Sequence, residues 1–317
     1  MEGRALRPLG VGEALDASFN LYFRNLGLLL RIAAAVVVPV IALSAILLLV
    51  GIQETDGSNP NAALYEIASG EIRLVDEQKF LILSAIAAVL GALAYLVAIA
   101  ALFRAISERY IGRGASARES LAAGAKRAHS VLWIFVIIGV AFFLLVIPAA
   151  ATPLLAVIFT LPLIVFLLVR WCVAIPALMV EQKKGSKALG RSFELVENRW
   201  LATFGVLIVG VIFILLLELL VSLAGEGLGS LASEQTMLYI VLLSLMNGIG
   251  TIVTAPFQAA IVTVIYYDLR VRKEAFDVEL LTEQLEAPAI GGPPPPPPAQ
   301  TPGDPPPPPP PSTPSGW

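Results

Sequence analysis

The stretch "LATFGVLIVGVIFILLLELLVSL" runs from Leu201 to Leu223 and carries one charge, Glu218. A helix rises about 1.5 Å per residue, so about 20 apolar residues cross a hydrocarbon core of about 30 Å. Inside lipid the backbone must satisfy its own hydrogen bonds, so the stretch reads as a membrane-spanning helix. Five further apolar runs read the same way: Ile32–Ile52, Phe80–Phe103, Val131–Ile147, Leu154–Val169 and Met237–Ile265. The whole chain agrees with them. It is 57% hydrophobic and 14% charged, against about 25% charged in soluble domains, and its mean hydropathy is +0.82. The expected fold class is all-α: a polytopic membrane helix bundle with six transmembrane helices. The third and fourth runs are short. "PAAATP", Pro148 to Pro153, separates them and predicts a tight turn, because proline opposes helix continuation.

Working outward, the charges between the runs fix an orientation. With six spans both termini share one side. That side holds 19 of the 21 Lys and Arg residues; only Arg73 and Lys79 fall on the other. Both termini are therefore predicted to be cytoplasmic, in a bacterial cytoplasmic membrane. The loop from Gln53 to Lys79 is then external. Its acidic residues match no calcium-binding loop spacing and read as a solvated face. The N-terminus, with Glu13 and Asp16 before the first run, reads as retained rather than as a cleaved leader.

Just before the opening stretch stands "KALGRSFELVENRW", Lys187 to Trp200. On a helix, Ala188, Leu189, Ser192, Phe193, Val196 and Trp200 gather on one face, opposite Lys187, Arg191, Glu194 and Asn198. "EALDASFNLYFRNL", Glu13 to Leu26, shares Ala, Leu, Ser, Phe and Leu with it at an offset of 174 residues. A weaker version, Glu119 to Trp133, precedes the third run. Such segments lie naturally in a membrane interface. They suggest cytoplasmic amphipathic interfacial helices and three repeated units, each an interfacial helix followed by a membrane hairpin. The competing reading is that amphipathic helices share a vocabulary.

Three stretches together carry a resemblance: "RPLGVGEALDASFNLYFRN", "RWCVAIPALMVEQKKGSKALGRSFELVENRW" and "YYDLRVRKEAFDVELL". Over most of residues 7–282 the chain resembles the membrane domain family of glycerophosphoryl diester phosphodiesterase and related bacterial membrane proteins. The resemblance implies a membrane module only. The family's soluble catalytic barrel has no counterpart here, and one histidine, His129, cannot supply its metal-dependent site.

Candidate intramembrane polar positions are few. Arg170 lies 16 residues after Leu154, roughly 24 Å along, where it can snorkel to the interface. Glu218 lies roughly 26 Å after Leu201, near the opposite interface. In "MNGIGTIVTAPFQAA", Met246 to Ala260, Asn247 falls about 15 Å from Met237, close to the midplane, and Gln258 follows Pro256. Interrupted spans with polar groups at mid-depth can form transporter sites; small residues with an amide also serve ordinary helix packing. Catalytic groups, cofactor sites and metal sites are not expected. Cys172 has no partner for a disulfide or a zinc cluster. "GLGS", Gly227 to Ser230, is not a nucleophile elbow, and no phosphate-binding loop is written. The net charge of −3 suggests no nucleic-acid partner.

The expected domains are an integral membrane domain over 1–286 and a proline-rich, disordered cytoplasmic tail over 287–317. Pro293–Pro298 and Pro305–Pro311 are unbroken proline runs, stiff in the polyproline II conformation and suited to aromatic-lined recognition grooves. The expected partners are the lipid bilayer and a protein bound through that tail. The expected function is a non-catalytic accessory or scaffolding membrane protein. The alternative is a transporter or lipid-handling protein with a polar site in the last span. The residues say nothing of oligomeric state.

Overall fold

The computed structural model describes residues 7–51, 77–151, 156–230 and 236–276, and among these every regular element is a helix. In chain order they are α1 (Val11–Arg24), α2 (Leu26–Gly51), α3 (Glu77–Tyr110), α4 (Ala117–Ala151), a π-helical turn (Ala156–Thr160), α5 (Leu161–Trp171), α6 (Ala174–Val180), α7 (Gly185–Val196), α8 (Trp200–Ser230) and α9 (Thr236–Glu274). Six stretches are long and apolar enough to cross a membrane: Leu26–Leu47, Leu81–Tyr110, Ala117–Ile147, Ile158–Val180, Trp200–Leu228 and Val241–Glu274. The all-α polytopic reading therefore holds. The acidic loop from Gln53 lies almost wholly outside the described residues, as do the proline runs; of the turn expected at Pro148–Pro153, Pro148 to Ala151 instead continue α4, and residues 152–153 lie outside the described residues.

Local chemistry sets the helix ends. At the start of α1 the Glu13 carboxylate accepts from the Gly10 amide at 2.8 Å and from Arg7 at 2.5 Å, satisfying one of the amides that a helix start leaves free. After α3, Gly112 takes φ +80°. The Arg113 amide then reaches the Glu108 carbonyl at 2.8 Å, the closing bond of a glycine-terminated helix. The fourth span breaks at Cys172 and Val173, between α5 and α6. Pro176 explains the break: its ring has no N–H and would strike the carbonyl four residues back. After α7, Asn198 adopts φ 65°, a left-handed conformation its short amide tolerates.

Helix α9 is the axis. It packs against α8, α2, α1 and α3 and touches α6 and α7. Its buried residues include Phe257, Ala260, Val264, Tyr266 and Tyr267, each nearly inaccessible. Between apolar helices in lipid, association relies on close packing, which small residues permit. Ala98, Ala100, Ala101 and Ala105 line the buried side of α3. On α4, a Cβ added to Gly124 would lie 2.6 Å from the Val97 carbonyl oxygen of α3 and 2.9 Å from the Ala101 amide nitrogen. Glycine is what lets these two backbones touch.

The amphipathic segments follow the sequence reading only in part. In α7, Ala188, Leu189, Ser192, Leu195 and Val196 are buried, but Phe193 is 39% exposed. Trp200 is not on this helix; it begins α8. In α1, Ala14, Ser18 and Tyr22 are buried. Ala14 and Ser18 stand at the same offset of 174 from Ala188 and Ser192, buried in α7. The stretch Glu119–Trp133 is no separate helix: it is the first part of α4, which continues unbroken to Ala151. No glycine or proline interrupts the join between its amphipathic and apolar portions, whereas Asn25 and the Glu197–Arg199 segment interrupt the other two.

Candidate functional site

Two places gather polar side chains. The first is the charged end of the bundle, where α9 finishes. Each polar side chain of "YYDLRVRKE", Tyr266 to Glu274, has a partner or a ring against it. The Tyr266 hydroxyl donates to Glu181 Oε1 at 2.9 Å. Arg191, from α7, donates through Nε to both Glu181 oxygens at 3.1 and 3.0 Å and through Nη2 to Glu274. Lys183 adds a contact to Glu181 at 2.9 Å, and Arg270 holds Glu274 at 2.9 Å. Tyr267 stacks on Tyr110 of α3, with centroids 4.9 Å apart.

The side chains of Glu181 and Arg191 are each 13% exposed, so their charges depend on one another. Burial pushes the Glu181 carboxyl up, but hydrogen bonds from Lys183, Arg191 and Tyr266 outweigh it and hold the group below the ordinary carboxylate range. Burial opposes the Arg191 cation, and bonds to Glu274 and Glu181 more than compensate. The arrangement is a closed ionic knot.

A second latch ties the N-terminal segment to the same end. Asp268 Oδ1 accepts from the Leu9 amide at 2.7 Å, and Arg272 Nη2 donates to the Leu9 carbonyl at 2.7 Å. Arg272 also bonds both Asp268 oxygens at 3.1 Å. Both backbone polar groups of Leu9 are thus clamped by an i,i+4 pair on α9. Farther along α1, the Tyr22 hydroxyl donates to the Val253 carbonyl at 3.2 Å. The rings of Phe19 and Tyr22 pack on Phe257 at 4.9 and 5.5 Å.

Arg170 belongs to this end. Its Nη1 donates to the Phe193 carbonyl at 2.8 Å, its guanidinium lies 4.1 Å from the Phe193 ring centroid, and Ser192 Oγ donates to its carbonyl at 2.8 Å. It fastens α5 to the last turn of α7.

The second place is a laterally open cleft of about 380 Å³ between α3, α8 and α9. It brings Glu218 and Gln258 together with Tyr95, Thr251 and Thr254; aliphatic walls come from Val211, Ile214 and Leu215. Asn247 stands apart from it. Its side-chain amide donates to the Leu243 carbonyl at 3.0 Å on its own helix, and its backbone carbonyl accepts from the Thr251 hydroxyl at 3.0 Å. That pattern satisfies a helix locally.

The four polar positions singled out in the sequence thus divide three ways: Glu218 with Gln258, Arg170 at the knot, and Asn247 alone. Glu181, Arg191, Tyr266, Asp268 and Tyr95 were not singled out. All but Tyr95 lie within the stretches that carry the family resemblance. What those stretches share in space is invisible in their spacing: Glu181 and Tyr266 are 85 residues apart.

Six apolar helices, five of them around a largely buried last span, define a polytopic α-helical membrane protein. Residues 150–287 match the family model described as the membrane domain of glycerophosphoryl diester phosphodiesterase. The match includes α5 to α9, every residue of the ionic knot and two walls of the cleft. No curated protein and no solved structure matches the chain.

Proposed function

We propose that the protein is a non-catalytic scaffold of a bacterial cytoplasmic membrane, with both termini in the cytoplasm. A protein partner binds the proline runs, and the charged end anchors the part of the chain, through Glu274, that precedes them. The observation that supports this is the knot. The nine residues Tyr266–Glu274 sit directly before that segment and are fastened to α3, α6–α7 and the N-terminal latch at once. Such fastening anchors the end of α9 from which the chain continues toward the proline runs. Affinity capture with the full chain, compared with a chain ending at residue 286, is expected to lose a defined partner on truncation. Identical partner sets would overturn the scaffold reading. Reporter fusions at Asp56 and Lys184 are expected to report opposite sides of the membrane.

A second reading, a lipid-handling or transport role, is favoured by one observation: Glu218 and Gln258 line the same cleft. Substrate movement lost in Gln258→Leu, with the protein still folded in the membrane, would support it over the scaffold.

A further inference from the structure

The cleft between α3, α8 and α9 has a chemistry that selects its occupant. Its lining holds one carboxyl group, Glu218, and none of the described residues lining it carries a positive charge. Tyr95, Thr251, Thr254 and Gln258 add neutral donors and acceptors, and the remaining wall is aliphatic. Glu218 lies 18 residues after Trp200, roughly 27 Å along α8, and Gln258 lies 12 residues before Arg270, roughly 18 Å along α9. The polar lining therefore descends from the interface opposite the charged end toward mid-depth, and it opens sideways to lipid. Near that interface an ionisable side chain lies within reach of the lipid headgroups.

We infer that the cleft receives the ethanolamine-type headgroup of a membrane phospholipid, entering from the leaflet opposite the charged end. The ammonium group meets Glu218 in a charge-assisted hydrogen bond. The hydroxyl and amide donors meet the phosphate and ester oxygens, and the chains lie along the aliphatic wall. A glycerol headgroup of net negative charge finds no cation there. A choline headgroup has no N–H to donate. This inference rests on the lipid-handling reading and names its ligand.

The test uses the purified full chain in detergent, with retained lipid counted by native mass spectrometry. The probes are phosphatidylethanolamine, phosphatidylcholine and phosphatidylglycerol of identical chains. The wild-type chain is expected to retain the ethanolamine lipid preferentially. Glu218→Gln is expected to lower that retention about tenfold while leaving the glycerol lipid unchanged. Glu226→Gln, an exposed glutamate of the same helix outside the cleft, is expected to change nothing. Gln258→Leu keeps the two ideas separable. Retention that depends on Gln258 but is equal for all three headgroups overturns the ammonium assignment and leaves a lipid site. Retention indifferent to both Glu218 and Gln258 overturns the assignment and the lipid-handling reading together. Equal melting temperatures of the variants in the same detergent secure the comparison.

Discussion

Helix α8 is the more apolar of the last two spans, yet only 11% of its most apolar stretch is buried in the bundle; in α9, which holds Asn247, Thr251, Thr254, Pro256 and Gln258, the figure is 67%. In water the order would be reversed. In lipid, apolar surface gains little by leaving the hydrocarbon, so the helices of Leu, Ile and Val face outward. The helix with hydroxyls, alanines and tyrosines packs inward, where its small side chains let neighbouring helices come close. Leu215, Leu216, Leu219 and Leu220 of α8 are all more than half exposed, whereas Ala260, Thr263 and Val264 of α9 are fully buried. Hydropathy along this chain reports contact with lipid and does not report burial in protein.

The contrast ranks the effects of substitution. The largest belongs to the knot at the end of α9. Arg191→Ala leaves Glu181 and Glu274 without their shared cation and is expected to cost about 3 kcal/mol, read as a lowered midpoint of chemical unfolding in bicelles. Gly124→Val forces α3 and α4 apart at a backbone contact and is expected to cost about 2 kcal/mol in the same assay. A smaller loss follows acidification. The folded-state pKa of Glu181 lies below its ordinary value of 4.5. Its stabilisation is therefore present above that value and is lost as pH falls through the depressed folded pKa. Thermal unfolding followed from pH 7 to pH 3 is expected to show a drop that Glu181→Gln flattens. Tyr266→Phe removes one hydrogen bond to Glu181 and is expected to cost about 1 kcal/mol. Leu216→Ala on α8 is expected to change stability by less than about 0.5 kcal/mol, because lipid fills the space. A cost of several kcal/mol there would place α8 inside the bundle and break the comparison.

Much of the architecture was legible in the sequence because the bilayer sets a length and a hydropathy that a span must meet. Tertiary placement was less so. Helical periodicity correctly grouped Ala188, Leu189 and Ser192, but it continued the face through Phe193 and on to Trp200. The chain turns at Asn198, and the guanidinium of Arg170 takes up the Phe193 ring instead. The break in the fourth span follows from Pro176, which was readable, yet the apolar run was ended at Val169. Glu119–Trp133 looked like a third interfacial segment because its pattern is amphipathic; α4 simply carries that pattern into the span. For the site, Glu218 and Gln258 stood out as polar residues in apolar runs. Their meeting with Tyr95 depends on how three helices pack, which no single-helix pattern encodes. The knot joins an acidic residue just after α6 to a tyrosine 85 positions away, and only the assembled bundle shows it.

The burial of α9 against the exposure of α8 can be measured without altering the chain. A photoactivatable carbene probe confined to the hydrocarbon region, followed by peptide mass spectrometry, reads which side chains meet lipid. Peptides spanning Leu207–Leu220 are expected to label heavily, and peptides spanning Phe257–Leu269 are expected to be protected. Comparable labelling of the two would contradict the placement of the last span at the centre of the fold.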